Sequence, residues 1–159
     1  MDLSPDWVVG FVDGEGCFFV GIQENPSLKT GYQVLPEFRI VQHERDVQVL
    51  YALKRFFGCG VVRRNHGDRW ELRVRKLSCL LKIVEFFEKH PLKTKKNVDF
   101  KRFARILRWM EEGKHLTREG LMEIAQTAMK MNTADRPRLK ALLKKLETSQ
   151  SSDEDIVHP

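Results

Sequence analysis

The sequence predicts an α+β fold in which a four-stranded antiparallel sheet is covered on one face by helices. Three observations carry this. Residues 32–42 alternate cleanly: Tyr32, Val34, Pro36, Phe38 and Ile40 share one face, while Gln33, Leu35, Glu37, Arg39 and Val41 share the other. Residues 61–65 and 69–75 read as a hairpin turning at His66-Gly67-Asp68, with Trp70, Leu72 and Val74 opposite Arg69, Glu71, Arg73 and Arg75. Between and after these runs, apolar residues fall at helical spacing, giving the order helix, two strands, helix, two strands, helix.

Each element has a local reason. Ser4-Pro5-Asp6 is a helix start, with a capping hydroxyl, a proline at the first helical position and an early carboxylate. The apolar run Trp7 to Val12 follows and stops at Gly14 and Gly16. Cys17 to Ile22 is a strand by its aromatic and branched content, and Asn25-Pro26-Ser27 to Gly31 is a loop. Val47, Leu50, Tyr51, Leu53, Phe56 and Phe57 mark a helix that Gly58 ends. Leu77, Leu80, Leu81, Val84 and Phe87 mark another, closed by His90-Pro91.

The remainder is helical. Phe100, Phe103, Ile106, Leu107 and Met110 form one stripe, and Leu121, Ile124, Ala125, Ala128 and Met129 form the next, with Thr117 as a cap between them. Leu139, Leu142, Leu143 and Leu146 form a last stripe that either braces the sheet or touches a partner. The expected organisation is a domain over residues 1–133, an amphipathic helix over 134–148 and a disordered acidic tail over 149–159.

A chain of 159 residues supports one domain with its own core, and 42% hydrophobic with 31% charged residues is a globular balance. No apolar run reaches the roughly 20 residues of a membrane span, and no secretory signal is visible, so an intracellular site and no membrane partner are expected. Lys and Arg exceed Asp and Glu by 28 to 22, a net charge of +6, which favours a polyanionic partner. Cys17, Cys59 and Cys79 are odd in number and widely spaced, so buried thiols are expected rather than a disulfide or a zinc site.

The polar face of the sheet carries Gln23, Gln33, Arg39, Arg63, Asn65, Arg69 and Arg73. These side-chain types reach base edges in a major groove, Arg to guanine and Asn or Gln to adenine. An ordinary solvated sheet face has the same alternation. Glu37 and Glu71 share the face; they would repel phosphate, though each can accept from a cytosine amino group.

The first helix ends in Gly10-Phe11-Val12-Asp13-Gly14-Glu15-Gly16. Gly10 and Gly14 are one helical turn apart, a spacing that lets two helices approach closely. Glu15 falls at the helix C-terminus, where carbonyls already concentrate negative charge. In a pair of such helices, carboxylates about 5 Å apart would repel by roughly 3 kcal/mol at an effective dielectric near 20. A hard divalent ion would relieve that clash, since carboxylate and carbonyl oxygens are its preferred ligands. Read by itself, the stretch is equally a glycine-terminated helix with a solvated Glu15.

These residues resemble the signature of the LAGLIDADG homing endonucleases, and the resemblance runs to about Met131. Gln42 at the end of the second strand and Leu92-Lys93-Thr94-Lys95-Lys96-Asn97 ahead of a helix belong to the same pattern. Val9 stands where the family usually has a small residue, which implies looser helix contact there. The resemblance implies a saddle-shaped sheet on double-stranded DNA and a catalytic acid at Glu15. It also implies metal ligation by Glu15 and the Gly14 carbonyl, with Mg²⁺ as cofactor and Mn²⁺ or Ca²⁺ able to occupy the site. Gln42 would sit near the attacking water and Lys95 near the scissile phosphate, with Lys96 a competitor; the family's basic residue after the second strand could be supplied by Arg45, although Asp46 stands at the closest matching position. One signature and no second half imply a homodimer meeting at Trp7, Gly10 and Gly14 and cutting a long, roughly palindromic site. Assistance to group I intron RNA splicing, or DNA binding without cleavage, are the alternative functions.

Overall fold

The computed structural model describes residues 1–132 and 135–156. Its elements are α1 (Pro5–Glu15), β1 (Gly16–Glu24), β2 (Tyr32–His43), α2 (Val47–Phe57), β3 (Val61–His66), β4 (Arg69–Val74), α3 (Leu77–Lys89), α4 (Lys96–Glu111), α5 (Arg118–Met129) and α6 (Pro137–Ile156). Short 3₁₀ turns at Glu44–Asp46 and Lys114–Leu116 precede α2 and α5. The four strands form one antiparallel sheet in the order β1-β2-β4-β3. The expected α+β architecture is therefore the observed one.

Local chemistry sets the element ends. The Ser4 hydroxyl accepts from the Trp7 N–H at 3.2 Å, capping α1 with Pro5 at its first position. Gly58 ends α2 in the left-handed region at φ 77°, where a side chain would be strained. Thr117 caps α5 through the Gly120 N–H. At Gly16 the constraint is steric: an added Cβ would lie 2.7 Å from Val12 Cγ1. Only glycine lets the chain turn so sharply from α1 into β1.

The core lies between the helices and one face of the sheet. Phe18, Phe38, Ile40, Leu72 and Val74 from the strands meet Val8, Val12, Leu53, Ile83, Phe87, Phe103 and Leu107 from the helices, all essentially sealed from solvent. Burying each such side chain stabilises the fold by about 1.5–3 kcal/mol. The last leucine stripe belongs to this chain's own core, because Leu139, Leu142 and Leu146 are buried and α6 packs on α5. No helix among the described residues is long and apolar enough to cross a membrane.

Three expectations are corrected. Cys59 and Cys79 form a disulfide, where free buried thiols were expected; only Cys17 is free. Cys59 follows the turn at Gly58 and Cys79 lies in the first turn of α3, so packing of neighbouring helices joins residues that spacing leaves unrelated. Second, α6 continues to Ile156 instead of stopping at 148. The apolar stripe ends at Leu146, so periodicity gives no signal for a helix that runs on. The boundary between residues 133 and 134, and residues 157–159 of the tail, lie outside the described residues. Third, Val9 is only 6% exposed and belongs to the core, so it does not bear on helix contact at the open side of α1.

Candidate active site and nucleic-acid interface

The two faces of α1 differ sharply. Val8, Val9 and Val12 point into the core. On the other side Trp7 remains 41% exposed and stacks on Phe11 with ring centroids 4.8 Å apart. Gly10 and Gly14 are exposed there, and a Cβ built on either would meet nothing within 4 Å. An outward face of tryptophan, phenylalanine and two glycines offers water almost no polar group. It does offer a neighbouring helix close backbone approach.

At the C-terminal end of this helix Glu15 is exposed and has no partner among the described residues. The Val12 carbonyl accepts from the Gly16 N–H and also from Lys96 Nζ at 3.1 Å. A cation there answers the negative helix end. Asp13 makes the second link. Its carboxylate accepts from the Lys93 N–H at 2.8 Å, the Thr94 N–H at 3.2 Å and the Thr94 hydroxyl at 2.8 Å. Partial burial raises the Asp13 pKa, but these hydrogen bonds and the nearby Lys96 charge outweigh it and hold the carboxyl below its ordinary value.

This clasp separates the two candidate lysines. Lys96 is committed to α1, whereas Lys95 is exposed and without a partner among the described residues. The clasp also brings the Lys95 loop to the end of α1, across 80 residues of sequence. Gln42 reaches the same end of the molecule through register: Gly16 pairs with Ile40, so Gln42 lies just past the junction of α1 and β1. It is partly exposed and paired with Trp70 in the ladder. Arg45 lies in the 3₁₀ turn beyond, with its side chain 3.8 Å from Asp46.

The polar sheet face assembles as the alternation requires. Cross-strand pairs place Gln23 opposite Gln33, Arg39 opposite Arg73, and Arg63 opposite Glu71. Gln23 Nε2 and Asn25 Nδ2 both lie 3.4 Å from Gln33 Oε1, joining the two glutamines. A register shift between Arg64 and His66 leaves Asn65 reaching Glu71 at 3.2 Å. Arg69 and Arg73 have no side-chain partner among the described residues. Arg64 belongs to the opposite side, over the Trp70 ring and bonded to the Gly67 carbonyl at 2.8 Å.

Glu37 and Glu71 are not solvent-facing carboxylates. They are 8% and 5% exposed, and arginines cover them. Arg75 Nε donates to Glu37 Oε1 at 2.9 Å. Arg63 Nε and Arg39 Nε approach Glu71 at 3.5 and 4.0 Å. Alternation assigns both glutamates to the correct face but cannot show that long neighbouring side chains shield them.

Sequence reasoning gave no role to Asp13, Asn132 or Arg136. The latter two bind the outer edge of β1: the Phe18 and Val20 carbonyls accept from Asn132 Nδ2 at 3.2 Å and Arg136 Nη2 at 2.9 Å. The Arg136 guanidinium also lies 4.5 Å from the Phe19 ring centroid. Carbonyls engaged in this way are not open to pairing with another strand. Polar residues in a segment between helices were the only available signal.

The LAGLIDADG endonuclease family profile matches residues 8–107. The chain is 72% identical to the solved structure of a homing endonuclease, I-TnaI, with a TM-score of 0.89 over 92% of this chain and 99% of that one. It is 33% identical to the I-SmaMI LAGLIDADG homing endonuclease bound to cleaved DNA, with a TM-score of 0.87 over 91% of this chain and 49% of that one. I-SmaMI has also been solved on its uncleaved target in the presence of calcium ions, with the same identity and TM-score. Probable intron-encoded endonuclease 2 of Neurospora crassa is 36% identical over 133 residues, which is 82% of this chain and 29% of that protein. The chain thus spans less than a third of the length of the first curated relatives it matches.

Proposed function

The chain belongs to the LAGLIDADG endonuclease family, and on that premise we propose that it is a site-specific double-strand DNA endonuclease acting as a homodimer. One observation carries the reading. The glycine face of α1 is open, and the carboxylate at its end has no partner in its own chain among the described residues. A second α1 related by twofold symmetry fills the first and brings a second Glu15 to the other. The target is then roughly palindromic.

The ligand chemistry fits a divalent ion only in such a pair. Among the described residues, no group of three or more His, Cys, Asp or Glu could hold a metal within one chain. Glu15 and the Gly14 carbonyl from each of two copies would make an all-oxygen set, which suits Mg²⁺ and accommodates Mn²⁺ or Ca²⁺. When bound there, such an ion supplies positive charge to the phosphodiester oxygens during hydrolysis. The I-SmaMI structure with calcium supports this choice.

The chain's own residues have distinct tasks. Glu15 holds the negative charge at the helix junction. Gln42 orients the attacking water, and Lys95, kept free of internal partners, stabilises charge developing on the scissile phosphate. Gln23, Gln33, Arg39, Arg63, Asn65, Arg69 and Arg73 face the major groove. The intron-encoded relatives support a role in intron mobility.

The test is a cleavage assay on plasmid carrying the uninterrupted host gene, with Mg²⁺ and then with chelator. Linearisation that requires Mg²⁺ and disappears in Glu15→Gln, while duplex binding persists, is expected. Cleavage undiminished in Glu15→Gln would overturn the proposed site. Tight binding to intron RNA with no DNA cleavage would point to splicing assistance instead.

A further inference from the structure

Three of the seven groove-facing residues converge on a single buried carboxylate. Glu71 sits on β4 with Arg63 opposite it on β3 and Arg39 on β2, where Arg39 pairs across the ladder with Arg73. Its two oxygens divide the contacts: Oε1 lies 3.5 Å from Arg63 Nε, while Oε2 lies 3.2 Å from Asn65 Nδ2 and 4.0 Å from Arg39 Nε. Both arginines approach through Nε, at the stem of the guanidinium. Their terminal nitrogens have no protein partner among the described residues. Those terminal donors are available for a bidentate contact with guanine.

We propose that Glu71 is a specificity-determining positioning residue, whose carboxylate holds Arg39, Arg63 and Asn65 as one fixed set of readers. The inference rests on the reading that this face binds DNA. A free arginine at a DNA surface is drawn to the nearest phosphate, which adds affinity without sequence information. An arginine tethered at Nε over the sheet loses less freedom when its outer edge meets a base. The buried negative charge also lowers the general attraction of the face for DNA, so weak and unselective complexes are disfavoured. Arg69 and Arg73, which lack such a tether among the described residues, serve as the internal contrast.

The test selects duplexes from a randomised double-stranded library with the full chain and with Glu71→Gln, whose side chain keeps the size and loses the charge. The expected profile of Glu71→Gln loses preference about tenfold at the base pairs read by Arg39, Arg63 and Asn65 and keeps it elsewhere. Binding to unselected duplex should rise several-fold. Its salt dependence should steepen by about one to two in log–log slope as the released arginines move to phosphates. In the background Arg39→Ala, Arg63→Ala and Asn65→Ala, adding Glu71→Gln should leave the profile unchanged, an outcome that a purely structural role would not give.

An unaltered Glu71→Gln profile would overturn the inference, as would a loss spread evenly along the site with a lowered Tm. If the unsubstituted chain enriches no sequence at all, the DNA-binding reading fails and takes this inference with it. A sequence-specific parent with an insensitive Glu71→Gln variant sinks the tether alone.

Discussion

The helix end and the sheet face both collect charged residues, yet they treat them oppositely. At the end of α1, the groups assigned to chemistry, Glu15 and Lys95, have no internal partner among the described residues. Their neighbours Asp13 and Lys96 absorb the bonding and fix the loop on which Lys95 stands. On the sheet, Arg39, Arg63 and Arg75 are themselves paired, to carboxylates buried beneath them. The difference teaches what each task requires. A group proposed to meet a metal or a phosphate is held by its backbone and left unneutralised. Two of the groups proposed to choose between base pairs, Arg39 and Arg63, are restrained at the side chain, and selectivity depends on where such donors point.

The largest effect should separate the two lysines. Lys95→Ala is expected to lower kcat by about 10²- to 10³-fold with the target preference intact. Lys96→Ala should act mainly on Tm, since Lys96 answers the carbonyl end of α1. Single-turnover cleavage and thermal melting of both variants would break the comparison if the phenotypes were exchanged.

Next is Asp13→Ala, which releases the loop without touching Lys95. A fall in cleavage rate of about 10- to 100-fold is expected, with DNA affinity nearly unchanged. The pH dependence has a definite sign. The Asp13 carboxyl is held below its ordinary value of 3.8, so its stabilisation is complete above that value and is lost as pH falls through the lowered one. Melting curves of parent and Asp13→Ala should therefore differ by a constant amount between pH 5 and 8 and converge only below about pH 4. A difference that already closes near pH 6 would contradict the clasp.

Arg73→Ala probes the untethered part of the sheet. Affinity for the selected site is expected to fall about tenfold and the salt slope to drop by about one, while the cleavage rate of bound DNA stays the same. The smallest effect belongs to Ser4→Ala, a loss of about 1 kcal/mol in stability from the uncapped start of α1. Urea unfolding would measure it, and cleavage of the folded fraction should be unaltered.

The sequence disclosed what is local and hid what is distant. Ser4, Gly58 and Thr117 announce helix ends because capping acts within a turn. The residues at 32–42 reveal their two faces because strand alternation has a fixed period. The contacts of Asp13 with Lys93 and Thr94 span 80 residues or more, and no periodicity reports them. Cys59 and Cys79 pair because α2 and α3 lie side by side, and Glu71 is buried because neighbouring arginines lean over it. The open face of α1 was half legible. The spacing of Gly10 and Gly14 showed that they share a face, but only packing shows that this face, and not the one bearing Val9, is left uncovered.

Pairing of two α1 helices is the claim on which the site depends, and the stoichiometry of the DNA complex tests it most directly. Sedimentation equilibrium or native mass spectrometry of the chain on its selected duplex should give two chains per duplex. Gly10→Leu, whose Cβ would meet nothing within 4 Å in its own chain, should keep the parent's Tm yet bind as one chain and fail to cut both strands. One chain per duplex with full double-strand cleavage, or a Gly10→Leu variant that still pairs and cuts, would contradict it.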